Sequence, residues 1–318
     1  MILKELVEVL HQGESNGNNM LIRIKLPSGA EILGLPTENY YGGEWDLGPT
    51  WNYLVLKDRP FLVDSGKSGM GLKLLEMMES IGISGNDLEY ILLSHGHEDH
   101  DGGLSEIVKS TGIKVKAHAV YDRLIRFFPG EGPSDFKKDF PASCWHCFMP
   151  ESFSTEHCRP YHAGRNSLSV EKIEDSESIL AEGTSTFYLP GHSPDALAVL
   201  IGEDALIVGD TLLPQITPIP SREAFFEQIR EILGPEHTSG QPIYGLKAYL
   251  RSLKKMKQIG KQLGDLLVLP AHRLFYGNQW NEIDLEVRVS ELIDHHIARC
   301  ADILRILKEK PKAAKEIA

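Results

Sequence analysis

Residues 90–103 constrain this chain more than any other stretch. They read Tyr90-Ile91-Leu92-Leu93-Ser94-His95-Gly96-His97-Glu98-Asp99-His100-Asp101-Gly102-Gly103. The four apolar residues at the start have the pattern of a buried strand, so a strand end delivers imidazoles and carboxylates into one turn. His95 and His97 are two apart and point the same way at a strand end. Gly96 lets the backbone bend between them, Asp99 and His100 follow on the other side of the turn, and Gly102-Gly103 permits a sharp exit. Three imidazoles and a carboxylate suit zinc, and also suit iron or manganese. The chain has only 13 histidines in 318 residues. Three of them within six positions, behind an apolar strand, argue for ligation over a solvated polar loop. A Ser94–His95 nucleophile and base pair is a poor alternative, because adjacent strand residues face opposite ways.

Around this loop the chain alternates short apolar runs with helical patterns. Trp51–Leu56, Pro60–Val63, Tyr90–Leu93, Thr186–Leu189, Ala196–Ile201, Ala205–Val208 and Leu266–Leu269 read as buried strands. Met70–Ile81 and Tyr244–Leu263 read as helices. This mixture predicts an α/β fold built in layers. Residues 1–283 read as one domain, interrupted at about 121–185 by a long, aromatic, irregular insertion that covers a pocket. From Leu285 the apolar positions Val289, Leu292, Ile293, Ile297, Cys300, Ile303, Leu304 and Leu307 keep a helical period, so 284–318 reads as a helical C-terminal tail.

Formal net charge is −12, which repels nucleic-acid phosphates at long range and disfavours a general nucleic-acid binder. No stretch approaches the roughly 20 apolar residues of a membrane span, and the opening segment lacks a signal-peptide core. The expectation is a cytoplasmic protein without membrane contact, with room for a homo-oligomer. Four cysteines, at positions 144, 147, 158 and 300, do not suggest a disulfide framework.

The Ser94–His100 loop resembles the His-x-His-x-Asp-His signature of the metallo-β-lactamase superfamily. Four further segments follow the family's order, each at the end of an apolar run. Phe61-Leu62-Val63-Asp64-Ser65-Gly66 resembles its early Leu-Val-Asp-Thr-Gly element. Pro190-Gly191-His192-Ser193-Pro194 resembles its Gly-His-Thr-Pro loop. Leu206-Ile207-Val208-Gly209-Asp210-Thr211-Leu212 resembles the strand ending in a bridging aspartate. Leu267-Val268-Leu269-Pro270-Ala271-His272 resembles the strand ending in the last histidine. Taken singly, Asp64 or Asp210 could be a turn residue, His192 a loop histidine and His272 a satisfied core histidine. Their order makes coincidence improbable. The sequence departs from the family pattern at Asp195, where many relatives have glycine, and at Ala271-His272-Arg273, where many have Gly-His-Gly; Arg273 bears on substrate charge preference.

The resemblance implies a four-layer αβ/βα sandwich with a two-metal site. Metal one would take His95, His97 and His192, metal two Asp99, His100 and His272, with Asp210 bridging and Asp64 supporting without binding. It implies two divalent ions, zinc foremost, with iron or manganese as alternatives. Histidine at position 97, where a diiron redox relative would carry glutamate, argues for hydrolysis. Two such ions about 3.5–4 Å apart hold a water between them and lower its pKa to near 7, and Asp99 is the residue placed to orient that water or carry its proton.

A small-molecule ester, thioester or lactone is the expected substrate. The aromatic residues Phe127, Phe128, Trp145, Phe148 and Tyr161 of the insertion favour an apolar partner. An RNA- or phosphodiester-cleaving enzyme is the alternative. The tail resembles the start of the winged-helix appendage of a subgroup that includes ribonucleases, and Lys247, Arg251, Lys254, Lys255, Lys257 and Lys261 form a basic helix, a pattern that usually marks a solvated face. A metal-binding sensor without activity is disfavoured by the complete ligand set. Cys144 and Cys147, with Cys158 and a histidine, have spacing compatible with a structural zinc site. One Cys-x-x-Cys without a second pair favours free thiols instead.

Overall fold

The computed structural model describes residues 1–40, 46–126, 159–174, 176–309 and 311–312. Its first sheet runs in chain order: β1 Val7–His11, β2 Leu21–Lys25, β3 Glu31–Thr37, β4 Thr50–Leu56, β5 Phe61–Val63, β6 Tyr90–Leu92, β7 Lys114–His118 and β8 Val170–Ile173. Strands β1 to β5 are antiparallel, whereas β5 to β8 are parallel. Parallel neighbours need a crossover. The helices Gly71–Ser80 and Leu104–Thr111 lie on two such crossovers. The second sheet comprises β9 Glu177–Ala181, β10 Thr184–Tyr188, β11 Leu197–Ile201, β12 Ala205–Gly209 and β13 Leu267–Pro270.

Alternation along the strands divides the apolar residues between three cores. Ile22, Tyr53, Val63 and Leu92 of the first sheet meet Leu197, Val199, Ile207 and Leu269 of the second in a buried layer between them. Leu54, Leu62 and Ile91 face the other way, onto Leu74, Met78, Leu104 and Ile107 of the two crossover helices. Ala198, Leu206 and Val268 pack outward onto two further helices, Gly245–Leu263 and Leu285–Glu309. The result is helix, sheet, sheet, helix: the αβ/βα sandwich. Strands buried on both faces lose polar alternation, which is why their sequences read as unbroken apolar runs.

Cross-sheet bonds close one edge. Leu197 N donates to Ser94 O at 2.7 Å and Trp51 N to Ala271 O at 2.8 Å. The segment just past β6 is thereby tied to β11 and the segment just past β13 to β4, while Ala271 N donates to Gly209 O of β12 at 3.1 Å; the residues just past β6, β12 and β13 belong to the site.

The stretch 121–185 differs from an irregular insertion wherever it is described. Arg159–Asn166 is a helix, β8 extends the first sheet, and β9 and β10 belong to the second. β8 and β9 lie at sheet edges and mix charged with apolar residues, Val-Glu-Lys-Ile and Glu-Ser-Ile-Leu-Ala, so neither presents an apolar run. Phe127, Phe128, Trp145, Phe148 and the Cys144, Cys147 and Cys158 cluster lie outside the described residues; Cys300 is exposed. In the tail, Leu285, Val289 and Leu292 are buried against the second sheet's helical layer, whereas Ile297 and Leu304 are exposed. The segment after 312 is outside the described residues. Among the described residues no helix is long and apolar enough to cross a membrane.

Candidate metal centre

The two loops and two strand ends singled out in the sequence converge. His95, His97, His192 and Asp210 offer ligand atoms all within 4.8 Å of one another, and so do Asp99, His100, Asp210 and His272. Asp210 is common to both groups. In the first, His97 Nδ1 is 3.1 Å from His95 Nε2 and 3.1 Å from His192 Nε2, while His192 Nε2 is 3.5 Å from Asp210 Oδ2. In the second, His272 Nε2 is 3.1 Å from Asp99 Oδ2 and 3.4 Å from Asp210 Oδ1, and His100 Nε2 is 3.6 Å from Asp99 Oδ2 and from Asp210 Oδ2.

The far nitrogens of four of these five rings, all but His97, are held by the protein. His272 Nδ1 lies 3.2 Å from Pro49 O, His192 Nδ1 3.0 Å from Ile219 O, and His95 Nδ1 3.1 Å from Ser94 Oγ. His100 Nδ1 is 2.9 Å from Asp64 Oδ2, and Asp64 also accepts from Ser94 N and Ser94 Oγ, each at 2.7 Å. Asp64 reaches all three from a left-handed backbone, φ 66°, a conformation aspartate tolerates better than most residues. It therefore stands behind His100, outside both groups. Holding one ring nitrogen in this way directs the other into the site.

The two groups carry opposite electrostatics. Burial, then the positive character of His100, His97 and His192, pushes His95 well below the ordinary imidazole range. Burial and His192 lower His97 to about 3, and burial lowers His192. In the second group burial acts the same way but is outweighed. Asp99, Asp210 and Asp64 hold His100 well above its ordinary value, and Asp210 with Asp99 raises His272 to about 10. Against their own burial, Asp99 is held below the carboxylate range by His100 and His272, and Asp210 by His272 and His100.

Two contributors carry no sequence signal. Asn39 Nδ2 donates to Asp99 Oδ2 at 3.0 Å, and Thr50 Oγ1 lies 3.4 Å from the same oxygen. Asn39 lies just past β3 and Thr50 opens β4, remote from every motif, and only the folded sheet brings them there. Arg273 turns to the rim, its guanidinium 4.4 Å from the Tyr276 ring centre and donating to Asp46 O at 3.0 Å. Tyr161, expected among pocket-lining aromatics, instead donates its hydroxyl to Asp101 Oδ1 at 2.5 Å.

The sequence profile of the Metallo-beta-lactamase superfamily matches residues 45–272, a span that contains every residue of both groups. The chain belongs to the metallo-β-lactamase superfamily. It is, as such, a metal-dependent hydrolase. A probable metallo-hydrolase of Bacillus subtilis (strain 168), YqjP, is 26% identical over 286 residues, covering 85% of this chain and 80% of that relative. A lactamase-like protein of Pestalotiopsis microspora, GME11357, is 24% identical over 245 residues, or 74% of this chain and 62% of the relative. The fold is shared with a metallo-beta-lactamase family protein from Thermus thermophilus, with a TM-score of 0.62 at 23% identity over 90% of this chain and 85% of that one. It is shared equally with a beta-lactamase domain protein from Burkholderia ambifaria, with a TM-score of 0.63 at 18% identity over 98% and 87%.

The residues of this superfamily member fit metal ions. His100 Nε2, His272 Nε2 and Asp210 Oδ1 are buried and make no hydrogen bond of acceptable geometry, although orphaned buried polar atoms are costly. All three point into the second group. Ligand separations of 3.1–3.6 Å also match the roughly 3.3 Å between ligands spaced tetrahedrally about zinc at about 2.0–2.1 Å.

Proposed function

We propose that this chain is a binuclear hydrolase that cleaves a small-molecule ester, thioester (such as an acyl-CoA) or lactone. His95, His97 and His192 would hold one divalent ion and Asp99, His100 and His272 the other, with Asp210 common to both; zinc suits the nitrogen-rich donor set best. The observation that carries the reading is the pair of four-residue groups meeting at one carboxylate, with His100 Nε2 and His272 Nε2 buried, without a hydrogen bond, and pointing into the second group. When bound, two such ions polarise the scissile carbonyl and bring the pKa of the attacking water toward 7.

The chain's own groups do the rest. Asp99 is held as a carboxylate by His100 and His272, and Asn39 and Thr50 fix its Oδ2, so it orients the attacking water and accepts its proton. Asp64 keeps His100 in place through Nδ1. Serine takes no part as a nucleophile: Ser94 Oγ is spent on Asp64.

The small-molecule reading rests on charge. At −12 the chain repels polyanions. Four basic residues of the helix Gly245–Leu263 are engaged within the chain. Lys255 donates to Ser176 O at 2.8 Å, Lys257 to Ser290 Oγ at 2.7 Å, and Lys247 and Arg251 both to Gln241. They tie the helix to its neighbours instead of presenting a phosphate track.

The test is turnover by the zinc-loaded protein of acyl-CoA thioesters, simple esters and lactones, set against single-stranded RNA. The expected result is hydrolysis within the first three classes, abolished in Asp99→Ala. RNA cleavage that Asp99→Ala abolishes, with no turnover of the small molecules, overturns the substrate class.

A further inference from the structure

Two buried carboxylates flank the loops of the first group without belonging to it. Asp101 follows the His95–His100 turn and Asp195 follows His192, and each is 1% exposed. Asp195 lies against the ligand loop itself: a Cβ on Gly96 would stand 3.1 Å from Asp195 Oδ2 and 2.7 Å from the Tyr121 ring. A buried carboxylate is strongly unfavourable without a counter-charge or hydrogen-bond donors.

That counter-charge comes from another part of the chain. One Nη of Arg165 lies 3.5 Å from Asp101 Oδ2 and 3.4 Å from the Gly96 carbonyl oxygen, between His95 and His97. It donates to the Tyr161 hydroxyl at 2.7 Å; Tyr161 donates to Asp101 Oδ1 at 2.5 Å and Tyr121 to Asp101 Oδ2 at 2.9 Å. The guanidinium also stacks on the Tyr161 ring, 4.6 Å from its centre. Asp195 itself accepts from Ser193 Oγ. Tyr161 and Arg165 are four residues apart on the helix Arg159–Asn166, so they share a face. That helix sits close on Ser105 of the helix Leu104–Thr111: a Cβ on Gly164 would be 2.9 Å from Ser105 Oγ.

We infer that Arg165 is a positioning residue of the first group: its guanidinium, brought in by the helix Arg159–Asn166, pairs with Asp101 and the Gly96 carbonyl and so fixes the His95–His97 loop, against which Asp195 of the His192 loop packs. The role concerns one half of the centre. Its contact is with Gly96, between two ligands of the first group. The second group is held by different residues, namely Asp64, Asn39, Thr50 and the Pro49 carbonyl.

This inference rests on the binuclear reading, and the experiment separates the two. Zinc is titrated into metal-free protein against a chromophoric chelator, in a His272→Ala background that leaves the first group intact and a His192→Ala background that leaves the second. Arg165→Met is expected to weaken zinc binding about 10–100-fold in the first background, the usual cost of losing a residue that orients a ligand. In the second, which shares Asp210 with the first and whose His100 adjoins Asp101, a smaller loss of at most about threefold is expected. Arg165→Lys restores most of the loss. Tyr161→Phe, which keeps the ring and every charge, gives a smaller loss confined to the first background and serves where Arg165→Met does not fold. Equal losses in both backgrounds, or none, overturn the positioning role while the binuclear reading stands. Fewer than two equivalents on the unsubstituted chain overturn both together.

Discussion

The first group surrounds one carboxylate with three histidines; the second places two histidines among two carboxylates, with Asp64 behind. Both are buried, and in both burial disfavours protonated imidazole. In the first group nothing opposes burial strongly enough, so His95, His97 and His192 stay neutral, the form that ligates. In the second, Asp99 and Asp210 outweigh it and His100 and His272 hold protons. The same residue type is prepared for a metal in one group and is protonated in the other, a few ångströms away. Neighbouring carboxylates decide which, and a cation binding in the second group would have to displace its protons.

The largest effect is expected where the groups join. Asp210→Ala removes the residue common to both, so zinc binding falls in each. Hydrolysis falls by on the order of 10³-fold, the rate equivalent of the several kcal/mol that a metal contributes to a transition state. An Asp210→Ala protein that keeps one group's affinity intact would show that the carboxylate is not shared.

The pH dependence sharpens the contrast. Burial and His192 push His97 down to about 3, whereas Asp210 and Asp99 push His272 up to about 10 against its burial. With all three of its imidazoles lowered, the first group's zinc affinity is expected to change little with pH toward pH 8. Between about pH 6 and 8 the second group gives up protons from His272 and His100, so its affinity rises with pH by up to about tenfold per unit for each proton displaced. Titrations in the two single-group backgrounds check this; equal slopes contradict the assignment of charge.

Smaller effects follow from the supports. Asp64→Asn weakens the hold on His100 and is expected to reduce zinc affinity of the second group about 10–100-fold. The first group, reached only through Ser94 Oγ and His95, loses less. Asn39→Ala leaves the first group's affinity unchanged, weakens the second group's by about tenfold at most, and lowers kcat/KM about tenfold, from about 1.5 kcal/mol for a hydrogen bond to a charged group.

Much of this arrangement was legible before the fold. Strands β4 to β6 and β10 to β13 are buried on most faces, so their apolar runs announce them, and the seven ligand candidates stand at or just past such runs. Strands β1, β8 and β9 lie at sheet edges with exposed charged residues and no apolar run. β3 is buried yet broken in pattern by Gly34 and Pro36. Gly34 is needed because a Cβ there would be 2.6 Å from Ile22. Pro36 lies beyond the reach of β2 and has no ladder bond to lose on that side. Asn39, Thr50, Asp101 and Arg165 belong to no repeating pattern. Their roles exist only through contacts between distant segments, which composition and periodicity do not encode.

The central claim is that two ions share one carboxylate, and elemental analysis of the protein saturated with zinc and freed of excess tests it most directly. The account predicts two equivalents per chain, falling to one in His272→Ala and to one in His192→Ala. A chain that saturates at one equivalent, or whose single variants both still hold two, contradicts it.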